Sequence, residues 1–162
     1  MLPSLNSVTP SWTEIEATAN INGGVALTLS GLKSIDWESA VARGEQRGAS
    51  GGRVMKRTSG AKTDTASCEM YQGDLRDLQR QLLAVAPRDS AGRPMLSKVS
   101  FDIVIKHSVD TDADIFVTKL LGCHLDKLSG KHAEGTDANV VALDLNPIEI
   151  VEVIDGQDTV LL

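Results

Sequence analysis

Residues 12–30, WTEIEATANINGGVALTLS, read as two strands and a turn. Ile15, Ala17, Ala19 and Ile21 alternate with Glu14, Glu16, Thr18 and Asn20. Successive side chains of a strand point to opposite faces, so this pattern describes a strand with one dry and one wet side. Asn22, Gly23 and Gly24 supply a turn, and Val25, Leu27 and Leu29 resume the alternation, which predicts a β-hairpin. The same period of two recurs outward along the chain. In LKSIDWESAVA (32–42), Ile35, Trp37 and Val41 oppose Ser34, Asp36 and Glu38. TDTASCEMY (63–71) carries it through Ala66, Cys68 and Met70, and VSFDIVI (99–105) through Val99, Phe101, Ile103 and Ile105. DIFVTKLLGCHLDKL (114–128) and NVVALDLNPIEIVEV (139–153) each continue it as one segment, with Pro147 marking an edge or a bend.

One segment breaks the period. In GDLRDLQRQLLAVAP (73–87), Leu75, Leu78, Leu82 and Val85 recur at offsets of three, four and three, which makes a single apolar stripe on a helix. Asp74 is its expected N-cap, Asp77 adds negative charge to the first turn, and Pro87 ends it. A turn-rich link, RDSAGRP (88–94), follows. The expected architecture is mainly β: a sandwich or barrel of about six to eight strands with one flanking helix, layered so that every apolar face is covered. The domain spans residues 12–153, with an N-terminal extension (1–11) and a C-terminal tail (154–162) loosely held.

Composition bounds the function. A length of 162 residues suits one domain, and 41% apolar with 23% charged residues suits a chain that folds and stays in water. No apolar run approaches the roughly 20 residues that span a bilayer. MLPSLNSVTP lacks the basic start and apolar middle of a secretory signal, so a cytoplasmic product without membrane contact is expected. Cys68 and Cys123 have no CxxC spacing and read as reduced, half-buried thiols. Gly60-Ala61-Lys62-Thr63 and Gly130-Lys131-His132 both fail the phosphate-loop pattern. Cys123 and His124 are adjacent on a strand and face opposite ways, and His107, His124 and His132 show no metal-ligand spacing. No nucleophile elbow or paired-carboxylate motif occurs. Neither a cofactor, a metal nor an enzymatic activity is expected.

The remaining feature is RGEQRGASGGRVMKRTSGAK (43–62), with five glycines, six Lys/Arg and one Glu, a net charge of +5. The rest of the chain carries ten Lys/Arg against twenty-one Asp/Glu, a net of −11. It reads as a long basic loop, longer than the unstructured loops common in compact domains. A solvated loop is one reading. Phosphate contact by a nucleic-acid-binding β module is another, although the stretch has no aromatic platform for bases. The sorted charge favours a third, a cationic segment of one copy meeting the anionic body of another.

ALTLSGLKSIDWESAVARGEQRG, VMKRTSGAKTDTASCEMY and DLRDLQRQLL, followed by SFDIVI and LLGCHLDKLSGKHAEGTDANVVALDL, resemble the tail tube proteins of long-tailed bacteriophages across roughly residues 12 to 153. That family is similar in fold to the tube protein of type VI secretion systems. The resemblance implies a structural virion protein whose six-membered rings stack into a tail tube, a conduit for double-stranded DNA during ejection without specific binding. It implies a place in the virion tail, after assembly in the host cytoplasm. Its implied partners are further copies of itself and sheath, tape measure, baseplate and tail terminator proteins. A tail-derived injection device would use the same tube for another cargo. In the family the loop after the second or third strand reaches the neighbouring ring. Arg43, Arg47, Arg53, Lys56 and Arg57 are then expected to dock on acidic residues of an adjacent subunit, ordering the loop only on assembly. Glu14, Glu16, Asp36 and Glu38 are the candidates for an acidic lumen that repels phosphate.

Overall fold

The alternating segments build two antiparallel sheets. The structure, a computed structural model, describes residues 15–21, 26–49, 51–108, 115–132, 134–135 and 138–162. The strands are β1 (Ile15–Ile21), β2 (Ala26–Thr28), β3 (Leu32–Arg47), β4 (Val54–Tyr71), β5 (Phe101–Ser108), β6 (Ile115–Cys123), β7 (Lys127–Gly130), β8 (Val140–Asp144), β9 (Glu149–Ile154) and β10 (Gln157–Val160). One helix, α1 (Gln72–Leu83), follows β4, and a 3₁₀ turn covers Leu96–Lys98. Sheet A has six strands in the order β10-β9-β6-β5-β1-β2, and sheet B four in the order β3-β4-β8-β7.

The apolar sets found by period two become the core. Ala17, Ala19 and Ile21 on β1, Phe101, Ile103 and Ile105 on β5, and Leu120 and Ile150 form the buried face of sheet A. Ala66, Cys68 and Met70 on β4 and Val141 and Leu143 on β8 form that of sheet B. Register aligns these sets in rows, such as Ile103 beside Leu120 and Leu120 beside Ile150. Each buried Val, Leu, Ile, Phe or Met among them contributes about 1.5–3 kcal/mol by leaving water, and the alanines less. Leu75, Leu78 and Leu82 of α1 complete the core.

Two segments that read as single strands each fold as two. The 114–128 segment leaves sheet A after Cys123 and re-enters as β7 in sheet B, and the 139–153 segment passes from β8 in sheet B to β9 in sheet A. The corners are held by backbone bonds: His124 N–H donates to Leu145 C=O (2.9 Å), Leu145 N–H to Ala66 C=O (2.9 Å) and Ile148 N–H to Leu121 C=O (2.9 Å). Asn146 adopts φ 39°, a left-handed turn that Asn tolerates. Gly122 (φ 68°) lies at the β5–β6 register shift, and a Cβ there would meet the Ile148 side chain at 2.7 Å. Switching sheets keeps the apolar alternation, so sequence pattern does not reveal it. The described strands therefore number ten rather than six to eight.

Other boundaries shift for local reasons. α1 begins at Gln72 after an extended Tyr71 with no side-chain cap, so Asp74 lies inside the first turn and is not the N-cap. Asp74 instead accepts from Ser30 Oγ (3.5 Å). Val85 falls beyond the helix and stays exposed. The C-terminal residues are not a loose tail: Asp155 (φ 50°) and Gly156 (φ 76°) make a tight hairpin turn, and β10 pairs with β9. Residues 1–11, Glu14 and the Asn22-Gly23-Gly24 turn lie outside the described residues.

Candidate assembly interface

β3 and β4 begin as ordinary strands of sheet B. Near their roots, Leu32, Ala66, Cys68 and Met70 are buried, and Ile35 packs against the core. The two strands then run on as a pair, from Val41 beside Lys62 to Arg47 beside Val54. From Ala42 to Arg47 and from Val54 to Ala61 every residue is exposed. Gly51 (φ 79°) and Gly52 (φ 64°) turn the chain at the tip, where Gly48 N–H donates to Arg53 C=O (3.0 Å). Residues 43–49 and 51–62 thus form the distal half of a β-arm rather than an irregular loop, and the arm is folded within the single chain. Strand pattern was invisible here because neither face is apolar. The glycines mark irregular pairing: a Cβ on Gly60 would come within 2.5 Å of Ala42 O, at the bulge where Val41 pairs with Lys62 but Arg43 with Ser59.

Register divides the arm into unlike faces. Arg43, Glu45, Arg47, Arg57 and Ser59 share the face that continues from Ile35, Trp37, Ser39 and Val41. Glu45 binds Arg47 (3.0 Å) and approaches Arg57 (4.0 Å), and Arg47 Nη1 also donates to Gly52 C=O (3.0 Å). Among the described residues, Arg43, Arg53 and Lys56 have no ion-pair partner. At the arm's base Asp64, its side chain only 3% exposed, accepts from Ser39 Oγ and pairs with Lys62 (3.5 Å). Lys62 is thereby engaged in the arm's own root.

The opposite face of sheet B is acidic. Asp36 and Glu38 are exposed on it, Asp36 in one row with Ser67, Asp144 and Lys127, and Glu69 lies one row away beside Ser34 and Ala142. Glu69 and Asp144 belong with the two predicted residues, and their parity opposite buried Cys68 and Leu143 is the signal that finds them. Glu16 does not join them: it lies on sheet A, opposite Lys106.

Burial disposes of the thiols. Cys68 and Cys123 are fully buried rather than half-buried. Burial first, then the Glu69 charge, pushes Cys68 up to about 12. Burial, then Asp102 and Cys68, pushes Cys123 up to about 12. Neither is a thiolate near neutral pH. Among the described residues no cluster of three His, Cys, Asp or Glu side chains is arranged to hold a metal ion. Nor is any helix there long and apolar enough to cross a membrane.

Neither a known family profile nor a curated protein matches the sequence. Solved structures match the fold. A chain from the sheath–tube complex of an extracellular contractile injection system, PVC, in its extended state aligns over 96% of this chain and 96% of its own, at 10% identity and a TM-score of 0.62. The SPP1 tail tube aligns over 91% of this chain and 82% of its own, at 12% identity and a TM-score of 0.63. This is the tube-protein fold. A chain from the six-fold symmetrised baseplate of the anti-feeding prophage shares the tube fold over 89% of this chain and 95% of its own, at 12% identity and a TM-score of 0.59. The tube fold accounts for the two sheets and single helix.

Proposed function

We propose that this protein is the structural repeating unit of a tail-type tube, with no catalytic role. The observation that carries the reading is the arm: a paired, folded extension that runs past the core with two wet faces. Sheet B also ends in two strands, β3 and β7, each paired on one side only among the described residues. Open edges present unpaired N–H and C=O groups, and joining β7 of one copy to β3 of the next satisfies both. Such a head-to-tail contact closes a ring by rotation, and a second contact along the axis stacks the rings. Six copies per ring agrees with the six-fold symmetry named for the anti-feeding prophage baseplate.

In this arrangement the acidic face of sheet B lines the bore through Asp36, Glu38, Glu69 and Asp144, with Glu16 away from it. With Lys127 as the cation in the Asp36 row, the face stays predominantly acidic, and a predominantly acidic bore repels phosphate and leaves double-stranded DNA free to slide. The arginine face of the arm then points away from the bore, which favours protein contact over nucleic-acid binding. Arg43, Arg47, Arg53, Lys56 and Arg57 reach the adjacent ring. Sheath, terminator, baseplate and tape measure proteins would complete such a tail in a virion, after assembly of the tube in the host cytoplasm. In an injection device the cargo would differ. Negative-stain microscopy of the purified protein tests the reading, with rings or hollow tubes expected. A stable monomer that shifts DNA in a salt-sensitive gel would overturn it.

A further inference from the structure

Both sheets outrun the core they share, and the two overhangs are chemically opposite. On sheet B the overhang is the arm. On sheet A the core-facing side is covered through the row of Ile105 and Thr118, which are 2% and 8% exposed. The next row opens to solvent: Phe116, opposite half-buried His107, is 57% exposed, and Ile154, one step past Val153 beside Val117, is 48% exposed. Glu152 borders this apolar strip on the same face, half-buried and without an ion pair among the described residues. Asp155 closes the strip at the β9–β10 turn.

The arm tip carries the complement. Met55 is 72% exposed and Val54 40%, flanked by Arg53, Lys56 and Arg57. We propose that the open end of sheet A, around Phe116, Ile154 and Glu152, is the receiving surface for the arm tip of a second copy. The inference rests on the tube reading and adds the place where one ring grips the next. Met55 and Val54 cover Phe116 and Ile154, while an arm cation meets Glu152 and Asp155. Burying this apolar pair supplies what exposed ion pairs do not, since those contribute only about 0.2–1 kcal/mol each. The contact is heterologous, one copy giving its arm and receiving another's, and with each ring already closed through its sheet edges it propagates along the axis.

Replacing Phe116 with the photoreactive benzoyl-phenylalanine and irradiating assembled protein tests this directly. Cross-linked peptides spanning residues 53–57 of another copy are expected. Cross-links confined to other segments, or none within intact stacks, overturn the receiving surface while leaving the tube reading standing. Wild-type protein that never stacks overturns both. As a second variant, E152K should leave the circular dichroism of the monomer unchanged and yield rings without stacks. E152K tubes as long as wild type would contradict the proposal.

Discussion

The root and the tip of the β3–β4 pair are one continuous ladder with two different physics. At the root, Cys68 and Met70 are sealed against the second sheet, and the strands are held by packing. Past Lys62 the same two strands have water on both sides. An isolated two-stranded ribbon is marginally stable at best. The root anchors the arm, and the arm exposes a cationic, partly apolar surface to solvent. Stability is concentrated in one half of the ladder, and the proposed recognition in the other.

The largest effect should come from the sealed half. Phe101→Ala, at a side chain only 2% exposed, should cost about 3–5 kcal/mol in chemical denaturation. Gly122→Ala should cost less, about 1–2 kcal/mol, because an L residue must adopt φ 68° there. Neutralising Arg43, Arg47, Arg53, Lys56 and Arg57 together should shift monomer stability by no more than about 0.5 kcal/mol per site, yet abolish stacking in the microscope. If the five changes unfold the body, the division between root and tip is wrong.

Two titrations sharpen the contrast. Cys68 and Cys123 have thiol pKa values raised in the fold to about 12, above the unfolded value. Their contribution to stability is therefore complete below the unfolded thiol pKa and declines as pH rises toward the folded one. Native protein at neutral pH should leave both thiols unlabelled by a thiol reagent, and denatured protein should label both. The smallest effect is local. The backbone N–H of Arg93 chiefly, with those of Ala91 and the Arg93 side chain, lowers the Asp89 carboxyl pKa despite some opposing desolvation. The order it gives the 88–94 link is present above the unfolded aspartate pKa and lost as pH falls through the folded one. An NMR titration should find Asp89 protonating below an ordinary aspartate.

Legibility in sequence followed the same division. Ile15, Ala17, Ala19 and Ile21, or Ala66, Cys68 and Met70, announced strands because water on one side and oil on the other impose period two. The arm's strands have water on both sides, so only Gly and charge stood out and the segment read as a loop. The sheet switches at residues 124–126 and 145–148 preserve alternation, so two strands read as one. Asp36 and Glu38 were legible as a wet face. Their companions Glu69 and Asp144 required the register that joins β3, β4 and β8, and Glu16 could not be assigned to another sheet without it. The overhang at Phe116 and Ile154 was hidden for the converse reason, since an apolar residue at the right parity reads as core until its covering layer is known to stop short.

Cryo-electron microscopy of the protein at high concentration tests the central claim most directly. The account predicts hollow six-fold tubes with Asp36 and Glu38 on the bore and each β-arm crossing into the adjacent ring. Particles that stay single, or tubes in which every arm lies along its own subunit, would contradict it.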